Sequence, residues 1–245
     1  YGCAIRQHFL SQENDFRLTC NILSDITSDI DILFLCNPNN PTGNTIPEQI
    51  LTEILQFCAS KKIRVVADEC FLRFHPHYEK MSCKRFLKQY PNLLIVNAFT
   101  KFYAMAGLRL GYLMTGDLSL LHAVAQQLPE WNVSSIAQRA GISALQDTEY
   151  EKQTRQLIEK ERRYLIQEFL KMGCTVFPSE ADYITFRLPQ EKTGFLLKER
   201  LLEGKILIRS CANYRNMPPD CYRIAVKQHA DNEELVRQVW RILIQ

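Results

Sequence analysis

Three side chains capable of chemistry follow short apolar runs, Asn40, Asp68 and Lys101, and an arginine, Arg109, joins them. Lys101 comes after Leu93-Leu94-Ile95-Val96, a run of the kind buried on both faces of a parallel sheet. A lysine leaving such a strand stands where open α/β sheets bind ligands, outside the carboxyl ends. A desolvated amine there loses part of its preference for the charged form and can attack a carbonyl. Arg109 follows eight residues later in Gly107-Leu108-Arg109-Leu110-Gly111-Tyr112. Asp68 closes Ile63-Arg64-Val65-Val66-Ala67, and Asn40 lies in Asn37-Pro38-Asn39-Asn40-Pro41-Thr42-Gly43 after Asp31-Ile32-Leu33-Phe34-Leu35-Cys36. Singly, Asn40 reads as a turn former, Asp68 as a cap, and Lys101 and Arg109 as surface charges. Together they place polar groups at the ends of successive strands, which is the layout of a site.

The elements that must position these groups follow from periodicity. Residues 1–9 read as a helix and residues 16–20 as a strand. Thr45 and Glu48 form a capping-box pattern, and Ile50, Leu51, Ile54, Leu55 and Cys58 recur on one helical face. Strand, helix, strand predicts a right-handed parallel unit. Residues 73–90 read as a solvated loop with a short helix; its His75-Pro76-His77 turn lacks the further ligands a metal needs. Residues 108–114 suit a strand antiparallel to the lysine strand, because the connection is short. Asp117 caps a helix through Leu128, and a further helix follows residues 131–135. A long charged helix spans 148–172 and stops at Gly173. Beyond it strands are expected at 175–177, 183–186, 206–209 and 222–226, with helices at 194–202 and after Asp231. The fold class is therefore α/β: a large, mostly parallel-sheet domain over 1–147 and a smaller C-terminal α+β domain over 148–245.

Composition narrows the function classes. The chain has 245 residues, 46% of them hydrophobic, with 30 basic and 27 acidic residues spread along it for a formal charge of +3. No basic block proposes nucleic acid, and no apolar run proposes a membrane span. Nine scattered cysteines lack metal-ligand spacing and read as reduced, mostly buried thiols, so no metal is expected and the cytoplasm is the expected compartment. The chain opens without methionine and inside what reads as a helix, which suggests a fragment.

The combination of Asn-Pro-Asn-Asn-Pro-Thr-Gly at 37–43, Asp68-Glu69, Thr100-Lys101 and Gly107-Leu108-Arg109-Leu110-Gly111-Tyr112 resembles the fold-type I pyridoxal-phosphate enzymes of the aminotransferase class I/II group. The resemblance implies a three-layer α/β/α large domain. It also implies that Lys101 holds pyridoxal 5'-phosphate covalently and moves a proton at the substrate α-carbon, and that Asp68 pairs with the pyridinium nitrogen. By the same resemblance Asn40 bonds the ring oxygen, Arg109 and Thr100 hold the phosphate, Arg223 grips the substrate carboxylate, and Arg209 suits a second anion. Two departures are Ala98, where relatives often carry a hydroxyl, and Phe71, where a tyrosine is common. The glycine- or serine-containing loop that cradles the phosphate in relatives is not found here, so the chain resembles about the last two-thirds of a family member. Within the group it looks like threonine-phosphate decarboxylases of cobalamin synthesis, with histidinol-phosphate aminotransferases as the alternative. Both handle phosphorylated amino compounds. The resemblance implies a homodimer; a non-catalytic binding remnant is the reading from another class.

Overall fold

The computed structural model describes residues 2–192 and 196–244. In chain order the helices are α1 (Ile22–Asp25), α2 (Glu48–Ser60), α3 (Tyr78–Met81), α4 (Leu118–Ala125), α5 (Ser135–Gln146), α6 (Thr148–Lys171), α7 (Leu197–Glu203) and α8 (His229–Ile244). The strands are β1 (Ile32–Cys36), β2 (Arg64–Asp68), β3 (Leu93–Ala98), β4 (Gly111–Thr115), β5 (Thr175–Phe177), β6 (Tyr183–Arg187), β7 (Arg209–Ser210) and β8 (Cys221–Ala225). They form two compact units. One comprises Thr27–Asn39 and Thr45–Leu157; the other comprises Tyr1–Ile26, Asn40–Asn44 and Ile158–Gln245.

The first unit carries a sheet in the order β1-β2-β3-β4. β1 pairs β2 and β2 pairs β3 in parallel, while β4 returns antiparallel to β3, as the short connection requires. Val65, Ala67, Leu93 and Ile95 are buried, and α2 turns Leu51, Ile54, Leu55 and Cys58 inward. The parallel register sets Cys36 beside Asp68 and Asp68 beside Val96, so β1 and β2 end together and β3 two residues beyond.

The second unit carries an antiparallel sheet in the order β5-β6-β8-β7, with Phe177, Tyr183, Ile184, Phe186 and Ile224 buried. Within this unit Glu161 of α6, fully buried, accepts from Asn232 Nδ2 at 3.0 Å and lies 3.0 Å from His229 Nδ1, joining α6 to α8. Residues Asn40–Asn44 pack here because of their own bonds. The Gly43 carbonyl accepts from Glu180 N at 2.9 Å, Pro41 O accepts from the Thr185 hydroxyl, and Asn44 Nδ2 donates to Asp15 O at 2.8 Å. Gly43 has φ +83°, and a Cβ there would lie 2.1 Å from Ser179 Oγ, so only glycine fits.

Several local expectations are corrected. The described part of residues 1–9 forms no helix: Gly2 has φ +70° and Ile5 is exposed, so the buried face that stabilises a short helix is missing. Residues 16–20 are not a strand. Asp15 and Phe16 turn in the left-handed region, and Phe16 plugs the core edge-on to Phe177. The capping box does not form, because α2 begins at Glu48 with Pro47, which has no side-chain acceptor, at its N-cap. The last helix begins at His229, ahead of Asp231. The expected start of the 194–202 helix, Gly194 and Phe195, lies outside the described residues.

Residues 73–90 also depart from a solvated loop: Phe74, His75, Tyr78, Ser82 and Cys83 are buried. The cause is Glu69, which is fully buried and accepts from Ser82 Oγ at 2.7 Å and from Cys83 N at 2.6 Å. Burial pushes its carboxyl above the usual range. Removing it orphans two buried donors, each costing about 1–3 kcal/mol. Glu69→Ala is therefore expected to lose about 2–4 kcal/mol in a denaturant melt. Glu69→Gln, which still offers an oxygen to Cys83 N and an amide to Ser82, should lose under about half of that.

Candidate active site

Asp68 ends β2, half-buried, and its Oδ1 accepts from Cys70 N at 2.9 Å, which fixes the carboxylate plane. Lys101 follows β3 in a tight turn in which Ala104 N donates to Lys101 O at 3.0 Å and Met105 N to Phe99 O at 3.2 Å. Phe102 and Tyr103 point into the core, and the lysine consequently points out. Its Nζ lies 5.4 Å from the centroid of the Phe71 ring. Burial pushes the Cys70 thiol up to about 12, helped by a bond to Asp68 and opposed by the Lys101 charge, so amine, thiol and carboxylate share one electrostatic neighbourhood.

Thr100 is half-buried beside the lysine, and Arg109 is exposed, with Nη1 donating to Ala106 O at 3.2 Å. Ala104 and Arg109 both take left-handed backbone, φ 54° and 53°, a cost of roughly 1 kcal/mol each that clusters at functional sites.

The turn holding Lys101 is tied to α6. Tyr150 OH donates to Phe102 O at 2.9 Å and Tyr103 OH donates to Glu151 Oε1 at 2.5 Å. Glu151 also pairs with Arg73 Nη1 at 2.6 Å and Arg155 Nη2 at 2.8 Å, and Arg155 Nε donates to Arg73 O at 3.0 Å. Burial alone would raise the Glu151 carboxyl. The Tyr103 and Arg155 bonds and the Arg73 charge outweigh it and hold the group below the usual carboxylate range. A depressed carboxyl contributes stability above its unfolded pKa and loses it as pH falls through the folded one. Sequence reasoning passed over this cluster and Glu69; the sequence-level sign was the i,i+4 pair Glu151 and Arg155 in the first turns of α6.

In the other unit Asn40 Oδ1 accepts a hydrogen bond from Arg223 Nη1. Arg223 stacks its guanidinium 5.1 Å over Tyr183. Arg209 is its direct cross-strand partner in the β7/β8 register. Arg209 bonds Asn213 Oδ1 at 3.0 Å and lies 5.8 Å over Tyr214. Neither arginine pairs with a carboxylate among the described residues. Like charges directly opposed destabilise a sheet, and a bound anion relieves them. The structure thus brings together Asp68 with Lys101, Asn40 with Arg223, and Arg223 with Arg209.

In the first unit an amine and an oriented carboxylate share one neighbourhood, and in the second an amide and two guanidinium groups do; an amine can attack a carbonyl, and guanidinium groups bind anions. The family model for aminotransferases of class I and II matches residues 1–239. A threonine-phosphate decarboxylase of Salmonella typhimurium is 37% identical over 243 residues, covering 99% of this chain and 66% of the relative. A histidinol-phosphate aminotransferase of Oleidesulfovibrio alaskensis is 31% identical over 218 residues, 88% of this chain and 56% of the relative. The crystal structure of the histidinol-phosphate aminotransferase from Clostridium acetobutylicum aligns with TM-score 0.88 and 29% identity over 94% of this chain and 69% of that one. The chain therefore spans just under two thirds of the length of the first curated relative. No helix among the described residues is long and apolar enough to cross a membrane.

Removing one of the two opposed arginines should stabilise the empty sheet. Arg209→Gln is expected to raise the thermal midpoint by about 1–2 °C at low ionic strength. Calorimetry in about 1 M salt should show the gain disappear.

Proposed function

The chain belongs to the aminotransferase class I and II family, and on that premise we propose that it acts at the α-carbon of a phosphorylated amino acid, with threonine O-3-phosphate decarboxylation as the reaction. Pyridoxal 5'-phosphate is the cofactor. When bound, it supplies an electron-withdrawing ring conjugated to the substrate α-carbon. Lys101 holds the cofactor through its amine and moves a proton at that carbon. The Asp68 carboxylate keeps the ring nitrogen protonated. Asn40 donates its amide N–H to the ring oxygen, an orientation consistent with its oxygen being taken by Arg223. Arg109 and the Thr100 hydroxyl hold the phosphate, and Arg223 forks the substrate α-carboxylate. Residues 1–147 serve as the cofactor domain and 148–245 as the small domain of a cytoplasmic homodimer.

The observation that carries the choice of substrate is the direct opposition of Arg209 and Arg223. Threonine phosphate brings a carboxylate and a phosphate in one molecule, one anion for each guanidinium group. The higher identity to the Salmonella typhimurium decarboxylase supports the same reading.

Mixing the full-length protein with pyridoxal phosphate, reducing with borohydride and mapping peptides should place the cofactor on Lys101. Lys101→Ala should lose the adduct and all turnover. Asp68→Asn should keep the adduct and lose about 10²-fold or more in kcat, since an amide cannot hold the ring proton. A parental rate in either variant removes that residue from the mechanism. Incubation with threonine phosphate should release carbon dioxide and leave aminopropanol phosphate, while histidinol phosphate with 2-oxoglutarate should give little glutamate. The reverse pattern selects the aminotransferase reading.

A further inference from the structure

The half-buried pairings around the start of α6 involve Arg73, Tyr103, Glu151 and Arg155, none of them among the groups assigned to cofactor or substrate. They nevertheless reach both loops that carry chemistry. Tyr103 and Phe102 directly follow Lys101, and Arg73 lies in the 3-10 turn Leu72–Phe74 that follows Asp68 and Phe71. Tyr150, Glu151 and Arg155 of α6 hold the first loop through Phe102 O and the Tyr103 hydroxyl, and the second through the Arg73 guanidinium and carbonyl. Arg73 lies 4.7 Å over Tyr78, 5.4 Å over Tyr103 and 5.9 Å over Phe102, and Arg155 lies 5.3 Å over Phe102.

Two cations therefore share one carboxylate within an aromatic cage. Glu151 accepts from the lysine loop and from the aspartate loop at once. The relevant constraint is the separation of the Lys101 amine from Asp68 and the Phe71 ring face. That separation is set by where these two loops are clamped.

We propose that Glu151 is a positioning residue for Lys101, holding the lysine turn and the loop after Asp68 in fixed register through Tyr103 and Arg73. The inference rests on the roles proposed above for Lys101 and Asp68. The clamp holds backbone that is otherwise costly, since Ala104 in the lysine turn is left-handed. A displacement of the order of 1 Å at a reacting group costs about 10²-fold in rate. That is the scale on which losing the clamp should register.

The test compares the parent full chain with Glu151→Gln, which weakens both ion pairs, and with Tyr103→Phe, which removes only the hydroxyl and keeps the buried ring. Glu159→Gln, altering the exposed pair with Arg163, is the control. Without cofactor, hydrogen exchange read by mass spectrometry should rise about tenfold in peptides covering 69–74 and 99–105 in both variants, and stay parental in peptides from β6 and α8. With pyridoxal phosphate bound, the pH midpoint of its visible absorbance should move by about half a unit or more, and kcat should fall about tenfold or more with KM little changed. A generally loosened fold would instead accelerate exchange everywhere and leave the pH midpoint in place, which overturns the proposal. So would parental exchange and a parental midpoint in both variants. The borohydride mapping of the parent stands apart: no adduct on Lys101 sinks the cofactor reading, whereas uniform exchange in the variants sinks the clamp.

Discussion

Parallel pairing of β1, β2 and β3 forces their carboxyl ends to one edge of the sheet; β1 and β2 end level at Cys36 and Asp68, and β3 runs two residues past Val96 to Ala98. Backbone hydrogen bonding thus gathers groups that lie about thirty residues apart in sequence. Alternation along each strand then decides which groups face out. The buried apolar positions are what hold the register, because a slip of one residue would carry every one of them to the wrong face. The site depends first on packing, and its electrostatics are imposed on backbone already in place.

The two units treat charge in opposite ways. Around Glu151 two guanidinium groups and a carboxylate satisfy one another among aromatic rings, and such a cluster is stable when left alone. At β7 and β8 two arginines stand opposite in register, and among the described residues their guanidinium groups have amide and aromatic partners and no carboxylate. Charge left uncompensated in the free protein is available for a ligand, and charge already compensated serves the scaffold.

The strand-end groups were legible because each followed an uninterrupted apolar run, and runs of that kind have few alternatives in a chain of this composition. β1, β2, β3 and the antiparallel return of β4 could be read for the same reason, and so could α6 with its stop before Gly173. What escaped were features decided by distant partners. The left-handed Phe16 has a strand-like sequence around it, and its turn inward is explained by the distant cluster of Phe177, Cys211 and Cys221. Residues 73–90 looked solvated because the group that buries them is one carboxyl at position 69. Glu151 looked like any acidic residue in a first helical turn, since nothing local indicates that Tyr103 and Arg73 converge on it.

Asp68 and Glu69 are neighbours of equal charge and nearly equal chemistry, yet one is half-exposed beside Cys70 and the other is fully buried against Ser82 and Cys83. Their difference is one of parity: consecutive residues leaving a strand point to opposite sides. The order of the two letters therefore carries information that composition does not. Exchanging them keeps mass, charge and hydropathy the same, but it puts the longer arm where a short one must leave room and the shorter arm where two donors lie out of reach. A transposition that most similarity scores would count as mild is, at this point in the chain, a change of meaning.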